Sequence, residues 1–315
     1  QFTLTILDND AAPEVHFTTS TQTAAEGAGT ITATLELSTI SELPATIGLV
    51  TSGSATIATD YTLAAAQIVI PAGQTTGTVS LTIVSDSIDE LDELAVLTID
   101  AATGATIGSP TTHTVTITDD DLPPAISFAV ATSSATEGSG TATIDALLSV
   151  PSSLAVSVTV SASASGTATA ADYTLATTTL TFPAGQVTAT ASVTLLADTT
   201  HEGTETVALT LSGPSNATLG TPSTHTLSIT DDDPEPVVEF SITTQTVLES
   251  AGAVSIGITL TPASGLAAVI PFSISGTATN GTDFSISASP LTIPAGATSA
   301  TLTVTVTPDA IDELT

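Results

Sequence analysis

Apolar and hydroxyl-bearing residues alternate along much of the chain, as in Ile31, Ala33, Leu35 and Leu37, then Val79, Leu81 and Ile83, then Val115 and Ile117. A period of two, rich in Thr and Val, predicts strands that bury one face. Turn signals separate the runs, with EGAG at 26–29, PAGQ at 71–74 and TGATIG at 103–108. No stretch carries a helical period. The pattern places strands near residues 15–24, 30–37, 45–51, 66–70, 76–84, 94–100 and 113–118. About seven short antiparallel strands at this spacing make an all-β, two-sheet Greek-key sandwich.

The pattern then repeats. ATDYTLAAAQIVIPAGQTTGTVSLTI at 58–83 matches AADYTLATTTLTFPAGQVTATASVTL at 170–195, and NGTDFSISASPLTIPAGATSATLTV at 280–304 is a third copy. Asp60, Asp172 and Asp283 are 112 and 111 residues apart, and Pro71, Pro183 and Pro294 keep the same intervals. Each repeat is therefore read as one domain. Residues 1–10 read as the last strand of a preceding repeat, 11–121 and 122–233 as complete repeats, and 234–315 as a repeat that stops before its last two strands. The natural chain is expected to continue in both directions.

Composition sharpens this picture. The chain has 32 Asp and Glu, no Lys or Arg and four His, giving a formal charge of -32, yet 41% of its residues are hydrophobic. It can build cores but has no fixed cation to balance its carboxylates. Nucleic acid and anionic membrane surfaces are excluded as partners, since contact with phosphates needs Lys or Arg. No apolar run reaches the roughly 20 residues of a membrane-spanning helix, so no membrane insertion is expected. Cys is absent, which rules out disulfides. No Ser-His-Asp arrangement or phosphate-binding loop stands in a credible context, and no enzyme activity is expected.

The acids keep register between repeats. The second repeat has nine, and all but Asp145 fall where the first repeat also has one. Glu137 matches Glu26, Asp172 matches Asp60, Asp198 matches Asp86, Glu202 matches Glu90 and Glu205 matches Glu93, while Asp231, Asp232 and Asp233 match Asp119, Asp120 and Asp121. Asp89 joins the first set, and His201 stands in its place in the second repeat. Glu249, Asp283, Asp309, Asp312 and Glu313 hold the corresponding places in the third, and Asp8 and Asp10 close the preceding one. In a sandwich these positions can meet at one end. Carboxylates gathered without a base either take up protons or recruit a cation. An oxygen-only donor set on flexible loops favours Ca2+ over Mg2+, and the shortage of His and Cys disfavours zinc. More than one Ca2+ per complete repeat is expected.

The EG after the first strand, the DY of TATAADYT, the PAG turn, the D-x-x-x-E-x-x-E of Asp198 to Glu205 and the closing ITDDD together resemble a Calx-beta domain. The resemblance covers essentially the whole chain as tandem copies. It implies an immunoglobulin-like seven-stranded sandwich that binds several Ca2+ at one end, with the acids of the first repeat and their counterparts as ligands. The family occurs in sodium/calcium exchangers, integrin beta-4 and large extracellular adhesion proteins. His201 implies a weaker site in the second repeat.

The expected function is a structural segment of a long extracellular fibre or adhesin, at a cell surface or secreted, stiffened by Ca2+ near the junctions. Its expected partners are neighbouring repeats and lateral or end-to-end copies. The alternative is a Ca2+-sensing regulatory module of a transporter or receptor. His113 and His225 are expected at the surface or on an edge strand, His16 at an exposed position, and Tyr61 and Tyr173 as core or corner aromatics.

Overall fold

The computed structural model describes residues 1–5, 7 and 9–309. The first repeat forms β1 (Glu14–Phe17), β2 (Thr21–Ala25), β3 (Thr30–Leu37), β4 (Ala45–Gly53), β5 (Tyr61–Leu63), β6 (Gln67–Ile70), β7 (Thr76–Ile83), β8 (Glu93–Thr103), β9 (Thr106–Ile107) and β10 (Thr112–Thr118). One sheet runs β5-β7-β3-β1-β9 and the other β2-β10-β8-β4-β6. Alternate residues point inward from both sheets, so Val15, Phe17, Leu35, Ile47, Ile70, Leu81, Leu97 and Val115 share one core.

The second repeat reproduces this with β11 (Ala125–Phe128), β12 (Thr132–Thr136), β13 (Thr141–Leu148), β14 (Val156–Ser163), β15 (Tyr173–Leu175), β16 (Thr179–Phe182), β17 (Thr188–Leu195), β18 (Glu205–Ser215), β19 (Thr218–Leu219) and β20 (Thr224–Thr230). Its sheets, β15-β17-β13-β11-β19 and β12-β20-β18-β14-β16, follow the same order. Its core is separate and includes Ile126, Phe128, Val158, Phe182, Val193 and Leu209.

The third repeat forms β21 (Val237–Phe240), β22 (Ala253–Thr261), β23 (Ala268–Ile270), β24 (Phe284–Ile286), β25 (Leu291–Ile293) and β26 (Ser299–Val306). These make a sheet of order β21-β22-β26-β24 and the pair β23-β25 around a small core of Ile258, Leu260, Ile293 and Leu302. Residues 244–248, the counterpart of β2, form no strand. In the complete repeats that segment is held by β10 or β20, and no counterpart of these strands is among the described residues.

Two features correct the sequence reading. The single strand expected at 15–24 is two strands in different sheets, and both halves pair in parallel: β2 with β10 over Thr21–Ala25, and β1 with β9. The sandwich is therefore not wholly antiparallel. The histidines are the second correction. His113 and His225 are only 1% exposed, and their strands lie inside the sheet between β2 and β8, or between β12 and β18. His225 Nδ1–H donates to the Val130 carbonyl at 2.8 Å, and Ser133 Oγ lies 2.8 Å from Nε2. His113 Nδ1 lies 2.8 Å from the Thr19 carbonyl oxygen, and its ring packs 5.5 Å from that of Phe17. His16 is half-buried rather than exposed. Tyr61 belongs to the core, whereas Tyr173 packs at its edge.

The buried imidazole ties the crossing between sheets to the strand it rejoins. His225→Ala leaves the Val130 carbonyl without its donor and opens a void, which is expected to cost about 2–4 kcal/mol. A lowered urea midpoint for the second repeat, with an unchanged slope, checks this.

Candidate metal centre

In the two complete repeats the acids in register fall at one end of the sandwich, because β2, β7 and β10 finish there while β5 and β8 begin there, as do their counterparts in the second repeat. Glu26 opens a 3-10 turn directly after β2. It is 7% exposed, and its Oε1 accepts the Asp86 amide at 2.9 Å. Asp86 in turn accepts the Ile88 amide at 2.7 Å. The second repeat repeats both contacts, with the Asp198 amide 2.7 Å from Glu137 Oε1 and the Thr200 amide 2.6 Å from Asp198 Oδ1. The glycine of each EG pair has a steric reason. A Cβ on Gly138 would come within 2.6 Å of Asp232 Oδ2, and one on Gly27 within 3.1 Å of Asp120 Oδ2.

Two groups form in each complete repeat. Glu26, Asp119 and Asp121 bring carboxylate oxygens within 4.8 Å of one another, as do Asp60, Glu90 and Glu93. In the second repeat the groups are Glu137, Asp198 and Asp233, and Asp172, Glu202 and Glu205. Asp60 accepts the Thr56 amide. Asp172 accepts the Thr169 amide at 2.5 Å and its hydroxyl at 2.9 Å.

The crowding is written into the proton affinities. Burial pushes Glu93 up to about 7, helped by a proton shared with Asp60 and by the charge of that residue. Glu205 is pushed up to about 7 in the same way, by burial and then by Asp172. Asp172 is also opposed by burial, but the Thr169 amide, the Thr169 hydroxyl and the proton on Glu205 hold it below the usual range. Burial raises Glu26, against the Asp86 amide, and the charges of Asp86, Asp121 and Asp119 raise it further. Glu90, Glu137 and Glu202 are raised by burial and by neighbouring carboxylates. Asp121 and Asp233 are raised by partial desolvation, then chiefly by the acids beside them.

The donor set suits a hard cation. Asp119 Oδ1, Asp121 Oδ2, Asp231 Oδ1 and Asp233 Oδ2 are buried and have no hydrogen-bond partner. Buried anionic oxygens left in that state are costly unless something positive meets them. Oxygens on opposite sides of one Ca2+ lie roughly 5 Å apart, and every group here fits within that span.

Other register positions fall differently. Asp89 belongs to neither group: its Oδ2 lies 3.0 Å from Ser152 Oγ of the next repeat, and its charge raises Asp121. Asp231 Oδ2 lies 2.7 Å from His201 Nδ1. Asp120 and Asp232 lie against the glycines. In the third repeat Glu249 accepts the Asp309 amide at 2.8 Å and Asp283 accepts the Thr279 amide at 2.6 Å. There Glu249 and Asp309 are exposed. Asp10 is exposed, and Asp8, Asp312 and Glu313 lie outside the described residues. Asp92 accepts the Asp119 amide on Oδ1 at 3.3 Å; its counterpart is Thr204, so register between repeats does not point to it.

The profile of the Calx-beta domain matches residues 8–121, 119–233 and 231–315. A comparison with curated protein sequences returned no match. Among solved structures, one described as CBD12 from CALX1.2 is similar at 18% identity over 67% of this chain and 83% of that one, with a TM-score of 0.34. Another, the apo form of the Calx CBD1 domain, is similar at 21% identity over 36% of this chain and 100% of that one, with a TM-score of 0.34. The three profile matches run in sequence along nearly all of the polypeptide, and the chain therefore belongs to the Calx-beta family as three tandem domains.

Proposed function

We propose that this chain is a structural segment of a long extracellular fibre or adhesin, in which Ca2+ held by the acidic groups fixes one repeat against the next. The observation that carries the reading is the β7–β8 loop: Glu90, with Glu93 at the start of β8, sits in an acidic group, while Asp89 of the same loop bonds to Ser152 of the following repeat. An ion that orders the loop therefore orders the joint. The ligands proposed for the first repeat are Glu26, Asp60, Asp86, Glu90, Glu93, Asp119 and Asp121, with their counterparts in the second. Two groups per repeat support more than one Ca2+ in each.

Small-angle scattering in millimolar Ca2+ and in chelator tests the proposal. The calcium form is expected to be longer and to have a sharper distance distribution, and identical profiles would overturn it. A calorimetric titration separates this role from regulation. Kd values of about 10^-4 to 10^-3 M belong to extracellular modules, and values near 10^-6 M to sensors.

The His201–Asp231 pair gives an internal comparison. An imidazole beside Asp231 competes with an ion for that carboxylate, so His201→Asp, which removes the competitor and frees Asp231 as a charged ligand, is expected to strengthen Ca2+ binding by the second repeat about tenfold. Titration of the variant beside the parent chain reads this directly.

A further inference from the structure

Two joints occur in the described chain, and they use the same contact. In the first, Ser152 Oγ–H donates to the Asp89 carbonyl at 3.1 Å and the Ser153 amide donates to the same oxygen at 3.0 Å. In the second, Ser264 Oγ–H donates to the His201 carbonyl at 3.1 Å and the Gly265 amide donates to it at 3.0 Å. Each pair forms an isolated parallel bridge, Asp89 with Ser152 and His201 with Ser264. Because the acceptor is a backbone carbonyl, the joint survives the exchange of Asp for His.

The donor turn is preformed, and the first repeat has it too. Ser41, Ser152 and Ser264 each accept a glycine amide on their carbonyl at 2.8 Å, from Gly73, Gly185 and Gly296. Their hydroxyls accept the amides of Leu43, Leu154 and Leu266 at 3.1, 3.1 and 3.0 Å. Seating differs among the three. Ser152 and Ser264 are 2% exposed, whereas Ser41 is half-buried. Leu43 is 70% exposed and Ile40 65%, while of the counterparts of Leu43 Leu154 is half-buried and Leu266 is 48% exposed.

We infer that the turn Ser41-Glu42-Leu43 is a docking surface for another Calx-beta repeat on the N-terminal side, which presents the carbonyl of its own β7–β8 loop to Ser41 Oγ–H and the Glu42 amide. The approach to the first repeat supports this occupant. Residues 3–10, TLTILDND, carry the closing-strand pattern of HTVTITDDD, and Asp10-Ala11-Ala12-Pro13 enters the first repeat as Asp121-Leu122-Pro123-Pro124 enters the second. A connection of equal length brings the preceding loop to the same place. Glu42 carries a side chain where Gly265 has none, but Ser153 shows that the joint accepts one.

The absence of cysteine allows a clean test. Residues 1–10 are replaced by a duplicate of residues 11–121, so that its Asp121 runs directly into Ala11, with Asp89→Cys in the duplicate and Ser41→Cys in the original first repeat. The control is the unextended chain carrying Asp89→Cys and Ser152→Cys. Paired positions of this kind lie within the Cα separation of about 4.4–6.8 Å that a disulfide spans. Both pairs are expected to oxidise, with half-times within about threefold of each other. Failure of the duplicate pair while the control closes would overturn the inference, as would failure of both, because the template joint would then not exist. The contact itself contains no metal, so both pairs are expected to crosslink in chelator as well, each more slowly where no ion orders the loop, and the ratio of their half-times is unchanged. Amide exchange covers the case in which Ser41→Cys disturbs the turn. In the cysteine-free extended chain the Glu42 amide should exchange at least about tenfold more slowly than in the unextended chain, and equal rates would count against docking.

Discussion

Adding Ca2+ to the metal-stripped chain is expected to raise its melting temperature by upwards of about 10 °C. At a free concentration one hundred times Kd, each ion stabilises the folded form by about 2.7 kcal/mol. Each complete repeat has two acidic groups, and a domain of this size gains several degrees per kcal/mol. The pH dependence should reverse with the metal. In metal-free protein, Glu93 and Glu205 keep their protons up to about pH 7, whereas the unfolded chain releases them near 4.5. The folded form then holds more protons across that window, so stability is greatest on its acid side and is lost as pH rises through 7. With Ca2+ in excess, protons compete with the ion and stability falls on acidification. Thermal melts at about pH 5.5 and about pH 8, with and without chelator, read both signs. Melts that move the same way in both conditions would refute a metal at these carboxylates.

The second large effect is expected at Glu26, where charge and hydrogen bonding can be separated. Glu26→Gln keeps an oxygen to accept the Asp86 amide at 2.9 Å but removes a charge beside Asp86, Asp121 and Asp119. Without metal the variant should be more stable than the parent, because repulsion in the group is relieved. With metal it should bind to the first repeat about tenfold to a hundredfold more weakly, having lost a charged ligand. Glu26→Ala leaves the Asp86 amide unpaired and should cost about 1–3 kcal/mol in either condition. Paired melts and titrations distinguish the two variants. A glutamine form as unstable as the alanine form in chelator would show that carboxylate repulsion is not what strains this end.

Much of this arrangement was legible in the sequence, and the failures have physical causes. Alternation located the long strands because each buries one face, but β5 and β9, of three and two residues, are too short to show a period. The split first strand leaves a trace in the sequence: the buried positions are Val15 and Phe17, then Ala24. That change from odd to even marks the passage to the opposite sheet. His113 shares parity with Val115 and Ile117, so the alternation already placed it inward. Its polarity suggested the surface, but buried imidazole is tolerated here because the ring finds backbone oxygen. Register between repeats found the acids without showing which of them share a group. Asp89 looks like Glu90 in sequence, and only the packing of the next domain separates the joint from the cluster.

The crossing of the first strand also sets how a repeat bears load. A pull along the array enters at β1 and leaves beyond β10, so it slides β2 past β10 along their common direction. Their five-residue register, Thr21 with Thr114 through to Ala25 with Thr118, is strained all at once in that geometry. Hairpin strands pulled from one end part rung by rung instead. Tension would therefore meet its greatest resistance at the seam where each module both begins and closes.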